Sequence, residues 1–379
     1  MVRRKDMLLI GASARKTGKT AYTCRVIGLQ SQSRSVIGLK ITPWPEAGHK
    51  DPAEGSGRPP FRIIEETDSS PSTDTGRMLA AGASRAFRLS ADRDHIAAGI
   101  ARLLRNIPEP ACIVAEGNSA RRGVEPGLFI LLRNPSGEEK DSFRELSPLA
   151  DRLATAGGGD WDPAPEECLF VDGEWMLKPR ASAVILAGGD SRRMGRDKSF
   201  LPIAGKPMIA HIVDRLKSLF DEIVIGGGRP GDYDFLGLEI VPDKIAGQGP
   251  LMGIASALER TKYELNFVIA CDIPDFDLGL IVRLAAKAEG VDAVLPVNAR
   301  GELETVFAFY RKSVIEPARS ILASGGRSIL DLLPRLRTRT VLLPEGAEIR
   351  NINSVEDYER LKGREEGLRR VATRGNRKA

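Results

Sequence analysis

Two stretches of the chain open in the same way, with a short apolar run, a glycine-bearing loop and then an amphipathic helix. The first begins at Met7–Gly11 (MLLIG) and the second at Ala183–Gly189 (AVILAGG). Beyond the second, the alternation is regular. From Lys206 to Phe220, residues Met208, Ile209, Ile212, Val213, Leu216 and Phe220 recur at helical spacing on one face. Strands are predicted at Glu222–Gly226, Leu238–Val241, Phe267–Cys271 and Ala293–Val297, with helices near Leu251–Glu259 and Leu278–Lys287. Near-continuous apolar strands between amphipathic helices predict a largely parallel sheet covered on both faces. Such sheets hold ligands beyond the carboxyl ends of their strands. The loops after Leu186, Gly226, Val241 and Cys271 are therefore the expected site.

Between the two halves, Thr155–Glu167 (TAGGGDWDPAPEE) has no helical or strand period and reads as a linker. The apolar runs flanking Asp172-Gly173 in CLFVDGEWML predict a small hairpin that closes the first half, with the boundary near Pro179. Ile41–Ser72, polar and rich in proline and serine, is expected to be a mobile loop. The expected organisation is α/β with two domains, over residues 1–156 and 181–363. They are joined by a linker and hairpin over 157–180 and followed by a basic tail over 364–379.

Composition narrows the function classes. A chain of 379 residues suits two domains. The formal charge of +5 is spread over both halves and points weakly to an anionic ligand, not to nucleic acid. Cys24, Cys112, Cys168 and Cys271 form no CxxC pair, and with three histidines a zinc site is not expected. Cys112 and Cys271 read as reduced thiols in buried strands. The apolar run near the start is too short for a secretion signal, and no stretch approaches the ~20 apolar residues of a membrane helix. A soluble, cytoplasmic chain is the expectation.

The densest chemistry lies from Leu186 to Lys198 (LAGGDSRRMGRDK). Gly188 and Gly189, after Leu186 and Ala187, let the backbone turn sharply and approach a ligand without a Cβ. Successive N–H groups of such a turn form an anion-binding nest. Arg193 as a planar fork and Lys198 as a mobile charge would neutralise phosphate. Asp272 ends a predicted strand at the ligand-binding edge, where it suits Mg²⁺ or the N-cap of a following helix. Asp243 follows another strand and serves as a ligand contact or a turn-former. Asn351 and Asn353 are typical turn residues, and Glu304 suits either a substrate contact or a strand edge.

These motifs together resemble the molybdenum cofactor guanylyltransferase family, the MobA-like proteins. LAGGDSRRMGRDK resembles the family's N-terminal signature. Val241-Pro242-Asp243 with Gln248-Gly249-Pro250-Leu251-Met252-Gly253, then Cys271-Asp272-Ile273-Pro274, then Asn351-Ile352-Asn353-Ser354 followed by Glu356-Asp357, come in the family's order. The resemblance implies a Rossmann-like nucleotidyltransferase domain that transfers GMP from GTP to the terminal phosphate of the molybdenum cofactor. It implies Leu186, Ala187, Gly188, Gly189, Lys198, Asp243 and Asp272 as GTP contacts, and Arg193, Lys198 and Asp272 as catalytic. It also implies Asp272 as the Mg²⁺ ligand and Asn351 and Asn353 as contacts to the molybdopterin. The terminal phosphate would attack the α-phosphorus in line and release pyrophosphate, without a covalent enzyme intermediate. Molybdoenzymes and upstream cofactor-insertion proteins are the implied partners, with no role for nucleic acid or membrane.

In the first half, Gly11–Thr20 (GASARKTGKT) matches GxxxxGK[ST] at Gly18, Lys19 and Thr20, with Ser13 where the first glycine stands. Lys19 would reach the β- and γ-phosphates and Thr20 the Mg²⁺ ion, at a helix N-terminus. The missing glycine puts closure of the loop in question. Thr73-Asp74-Thr75-Gly76-Arg77, Ala81-Gly82-Ala83 and Ala115-Glu116-Gly117 resemble segments of MobB-like GTP-binding accessory proteins, over roughly residues 7–133. That resemblance implies a P-loop-like α/β domain with Gly18, Lys19, Thr20 and Glu116 at its nucleotide. A cytidylyl- or sugar-phosphate nucleotidyltransferase and a non-catalytic cofactor carrier are the alternative functions.

Overall fold

The computed structural model describes residues 1–14, 16–44, 59–134, 139–157, 160–188, 198–229, 231–344 and 347–363. The chain separates into two compact units, Met1–Lys178 and a second beginning at Pro179. The expected basic tail over 364–379 lies outside the described residues.

The first unit runs β1 (Val2–Ala12), α1 (Lys19–Ser31), β2 (Val36–Pro43), β3 (Phe61–Glu66), α2 (Asp74–Ala80), β4 (Arg85–Ala91), α3 (Ile96–Leu104), β5 (Cys112–Glu116), β6 (Val124–Arg133), α4 (Asp141–Leu146), β7 (Arg152–Gly157), β8 (Asp160–Asp162), β9 (Cys168–Val171) and β10 (Glu174–Leu177). Among the described residues an eight-stranded sheet forms in the order β3-β4-β2-β5-β1-β6-β7-β8. It is parallel except at its antiparallel edges β3 and β8. Alternate residues of the inner strands feed two cores. Met7, Leu9 and Ile113 point to one face, and Leu8, Ile10 and Val114 to the other. Burial on both faces explains why these strands read as unbroken apolar runs.

Two expectations for this unit change. Within Ile41–Ser72, expected to be a loop, Phe61–Glu66 is a strand paired antiparallel to β4. Its half-buried pattern carries little apolar signal, so only the partner strand reveals it. The stretch read as a linker also supplies strands, because β7 and β8 complete the sheet edge through 152–157 and 160–162. After it, β9 and β10 pair antiparallel around Asp172 (φ 50°) and Gly173 (φ 82°), the positive-φ pair of a two-residue hairpin turn. Trp175 and Cys168 of this hairpin pack into one of the two cores.

The second unit runs β11 (Ser182–Leu186), β12 (Pro202–Ile203), β13 (Lys206–Pro207), α5 (Met208–Leu216), β14 (Ile223–Gly226), β15 (Glu239–Val241), α6 (Pro250–Leu258), β16 (Leu265–Ala270), α7 (Leu278–Ala285), β17 (Ala293–Val297), β18 (Phe307–Arg311), α8 (Ile315–Ala323), α9 (Ile329–Leu332) and β19 (Thr338–Leu342). Its seven-stranded sheet has the order β15-β14-β11-β16-β18-β17-β19. The four strands from β15 to β16 are parallel, as predicted. Beyond them the sheet is mixed, because β18 is antiparallel to both β16 and β17. The predicted helix from Lys206 starts later, at Met208, since Lys206-Pro207 pairs with Pro202-Ile203. Cys112 is buried in β5 as expected. Cys271 is instead half-buried in the turn after β16, because the strand ends one residue earlier, at Ala270. Among the described residues no helix is long and apolar enough to cross a membrane.

Candidate active site

Three hydrogen bonds extend the parallel ladder of the second unit one residue past its strands. Ala187 N donates to Gly226 O (2.8 Å), Gly227 N to Val241 O (2.9 Å) and Cys271 N to Leu186 O (3.0 Å). The ends of β11, β14, β15 and β16 are thereby level, and the turns that follow share one edge. There Gly188 lies against Gly227. A Cβ on Gly188 would come within 2.9 Å of Gly227 O, and Gly227 itself holds φ +76°. Only glycine suits both demands.

Asp243 follows β15. Its Oδ1 lies 3.2 Å from where a Cβ of Gly227 would stand, and it is buried without a hydrogen-bond partner among the described residues. Burial pushes this carboxyl above the usual range. Asp272, two residues past β16, has a similar orphan: its buried Oδ1 has no partner among the described residues. Its Oδ2 stands 3.7 Å from Lys198 Nζ. Burial pushes the Asp272 carboxyl up, and the Lys198 charge only partly offsets it.

Lys198 Nζ also donates to Asn353 Oδ1 (3.1 Å), joining residues 155 positions apart in sequence. Asn353 is held from two sides. Ile352 N donates to Asp272 O (2.8 Å), which lays the C-terminal segment along the Asp272 turn. Asp357 Oδ2 accepts from Asn353 N and Ser354 N (3.1 and 3.0 Å), and Tyr358 OH donates to Pro202 O (2.6 Å). Asn351 is half-buried two residues before Asn353. Glu304 is half-buried, and burial followed by Glu302 pushes its carboxyl up. Gly189 and Arg193, both predicted site residues, lie outside the described residues.

An orphaned, mostly buried carboxylate oxygen fits a hard cation that takes one or two protein carboxylates and fills its remaining positions with phosphate oxygens and water. Asp272 meets that description. No cluster of three or more carboxylate, histidine or cysteine ligands occurs among the described residues.

The first unit gathers a second polar group. Thr20 Oγ1 lies 3.1 Å from both Asp74 Oδ1 and Glu116 Oε1. Lys40 Nζ bonds Glu116 Oε1 and stands 2.7 Å from Asp74 Oδ2. Glu116 is fully buried, and its Oε2 has no partner among the described residues. Gly18 (φ +85°) caps α1 without a side-chain bond, and the first turn of that helix carries no acid. Lys19 makes no hydrogen bond or ion pair among the described residues. Burial, then the charge of Lys40, lowers its pKa. Ser13, where a glycine was expected, has no positive φ. The left-handed positions of this loop, among the described residues, are Lys16 (φ 61°) and Gly18. Ser13 Oγ accepts from Asn134 N (3.1 Å), and Ser13 O accepts from Lys140 N (3.0 Å). The serine thus ties the loop to the end of β6.

Gly227 and Lys40 escaped the reading of the sequence. Gly227 left a signal in the triple glycine after the apolar run of β14. Lys40 left one as a lone cation in the apolar strand VIGLKITP.

Residues 183–339 match the family model of the MobA-like NTP transferase domain. The chain is 37% identical over 162 residues to a Pelotomaculum thermopropionicum protein named "Probable molybdenum cofactor guanylyltransferase", covering 43% of this chain and 78% of that one. It is 34% identical over 203 residues to a protein of the same name from Peptoclostridium acidaminophilum, covering 50% of this chain and 90% of that one. A crystal structure of molybdopterin-guanine dinucleotide biosynthesis protein A from Archaeoglobus fulgidus aligns with a TM-score of 0.42 and 23% identity, over 48% of this chain and 97% of that one.

Proposed function

Since the chain belongs to the MobA-like NTP transferase family through its second unit, we propose that it is a molybdenum cofactor guanylyltransferase. It transfers GMP from GTP to the terminal phosphate of the cofactor and releases pyrophosphate. The observation that carries the residue assignment is the meeting of Asp272, Lys198 and Asn353 at the end of β16. These residues come from three distant parts of the chain.

In this reading Gly188 and Gly227 leave backbone room for the nucleotide, and Asp243 turns its unpartnered oxygen to it. Asp272 would hold Mg²⁺, which when bound supplies charge neutralisation to the triphosphate. Lys198 releases Asn353 or Asp272 to meet a phosphate oxygen, and Asn353, fixed by Asp357, orients the pterin-bearing substrate with Asn351. Arg193 adds a further cation. The incoming phosphate is already anionic, so positioning and charge stabilisation suffice without a general base.

For the first unit we infer an accessory GTP-binding, P-loop-like role. It is supported by the unpaired, half-buried Lys19 at the open N-terminus of α1 and by the Thr20–Asp74–Glu116 cluster. The test uses the whole chain with GTP, Mg²⁺ and molybdenum cofactor, and measures pyrophosphate. Release is expected, with CTP and UTP competing poorly, and Asp272→Ala should lower it by about a hundredfold or more while the fold is kept. Tighter binding of CTP, or full turnover in Asp272→Ala, overturns the reading.

A further inference from the structure

Beside the Thr20–Glu116 cluster lies a cavity of about 480 Å³ whose walls include Lys40, Arg62, Ile64, Asp74, Arg88 and Ser90. The sheet builds its floor. Lys40 of β2 is in register with Arg88 of β4, and Ile64 of β3 with that same Arg88. One pair further along, Thr42, Ser90 and Arg62 form the next row. Residues two apart on a strand share a face, so three cations stand on one side of three neighbouring strands.

Like charges directly opposite on paired strands repel. Lys40 is relieved, because Asp74 and Glu116 both bind its ammonium. Arg62 and Arg88 are diagonal neighbours whose side chains reach solvent, and neither guanidinium has a hydrogen bond or ion pair among the described residues. The neighbouring hydroxyls are partly engaged elsewhere, since Thr73 and Thr75 both donate to Glu66 (3.0 and 2.8 Å). Thr42 and Ser90 lie 3.4 Å from each other, in the row beside Lys40 and Arg88. Two unpaired planar forks match the charge and the oxygen geometry of a phosphate dianion. The volume, however, is within the ~300–1,000 Å³ of small-molecule pockets, and the Ile64 and Pro43 walls suit an apolar body.

We propose that this cavity binds an organic phosphomonoester, its phosphate on Arg62 and Arg88 and its body along Ile64 and Pro43. The site needs only the cavity. That its ligand would lie next to a nucleotide rests on the accessory reading of the first unit, because Lys40 and Asp74 belong to both groups.

Phenyl phosphate is the probe, titrated by calorimetry into the full chain with and without saturating GTP. Saturable binding is expected in both conditions. In the double variant Arg62→Gln/Arg88→Gln it should weaken at least tenfold, with an unchanged thermal midpoint and unchanged GTP stoichiometry. Lys19→Ala should keep phenyl phosphate binding. If that variant also keeps full GTP stoichiometry, the nucleotide reading fails and the phosphomonoester site stands. Binding to the double variant as tight as to the parent overturns the proposal. So does loss of binding in Lys19→Ala alone, which would put the probe on the phosphate loop. Inorganic phosphate binding as tightly as phenyl phosphate overturns the assignment of an organic body.

Discussion

Two carboxylates in the second unit carry buried oxygens with no partner among the described residues, Asp243 Oδ1 and Asp272 Oδ1. Leaving a buried acceptor unsatisfied costs about 1–3 kcal/mol, so such groups persist where a ligand completes them. For Asp243 this has a direct consequence. Its folded-state pKa is raised by burial, so the folded chain binds the proton more tightly than the unfolded chain does. Stability therefore falls as pH rises from the ordinary carboxylate range, near ~4, through the folded-state value. Asp243→Asn is expected to raise the thermal midpoint of the ligand-free protein at pH 7 by about 2–4 °C. It should at the same time weaken GTP binding about tenfold. The thermal gain should vanish below about pH 4. Thermal melts across pH, paired with GTP titration, check it; a variant no more stable than its parent at pH 7 contradicts the desolvation account.

At the scale of elements, the far side of the second sheet depends on a polar clasp where β17 begins. Asp292 accepts from Arg337 N, Nε and Nη2 (3.0, 3.1 and 3.1 Å) and from Ser313 Oγ (2.8 Å). It thereby joins β17 to the start of β19 and to the turn after β18. These bonds, those from Arg337 foremost, hold its carboxyl well below the usual range. A depressed folded pKa contributes stability that is present above the unfolded value and lost as pH falls through the folded one. Asp292→Asn should therefore lower the midpoint at pH 7 and flatten its decline under acid. Arg337 is mostly exposed, and water screens the pair, so about 2–4 °C is the expected loss. Parallel acid-side slopes in variant and parent would remove this clasp from the account. The edge strand it holds was illegible in the sequence, because TRTVL is mostly exposed and lacks a buried apolar face. The inner strands β11, β14 and β16 were legible, since burial on both faces demands unbroken apolar runs.

At the scale of the whole molecule, each unit has its own sheet and its own cores. A chain beginning at Lys178 is thus expected to fold and to retain guanylyl transfer within about threefold of the full chain, the margin reflecting the ordinary spread of surface effects. Pyrophosphate release by the purified fragment measures this. A folded but inactive fragment would make the first unit part of the catalytic machinery. The family and the order of its motifs could be read from Gly188, Asp243, Asp272 and Asn353 as letters, because strand ends and turn residues are local properties. Local chemistry likewise determined that Lys19 and Thr20 follow a strand and open a helix. Tertiary structure alone decided that Lys198 meets Asn353, that Gly227 must be glycine against Gly188, and that Arg62, Arg88 and Lys40 share one face. Those relations rest on strand order and on the docking of the C-terminal segment. They join residues too far apart in the chain for any periodicity to relate them.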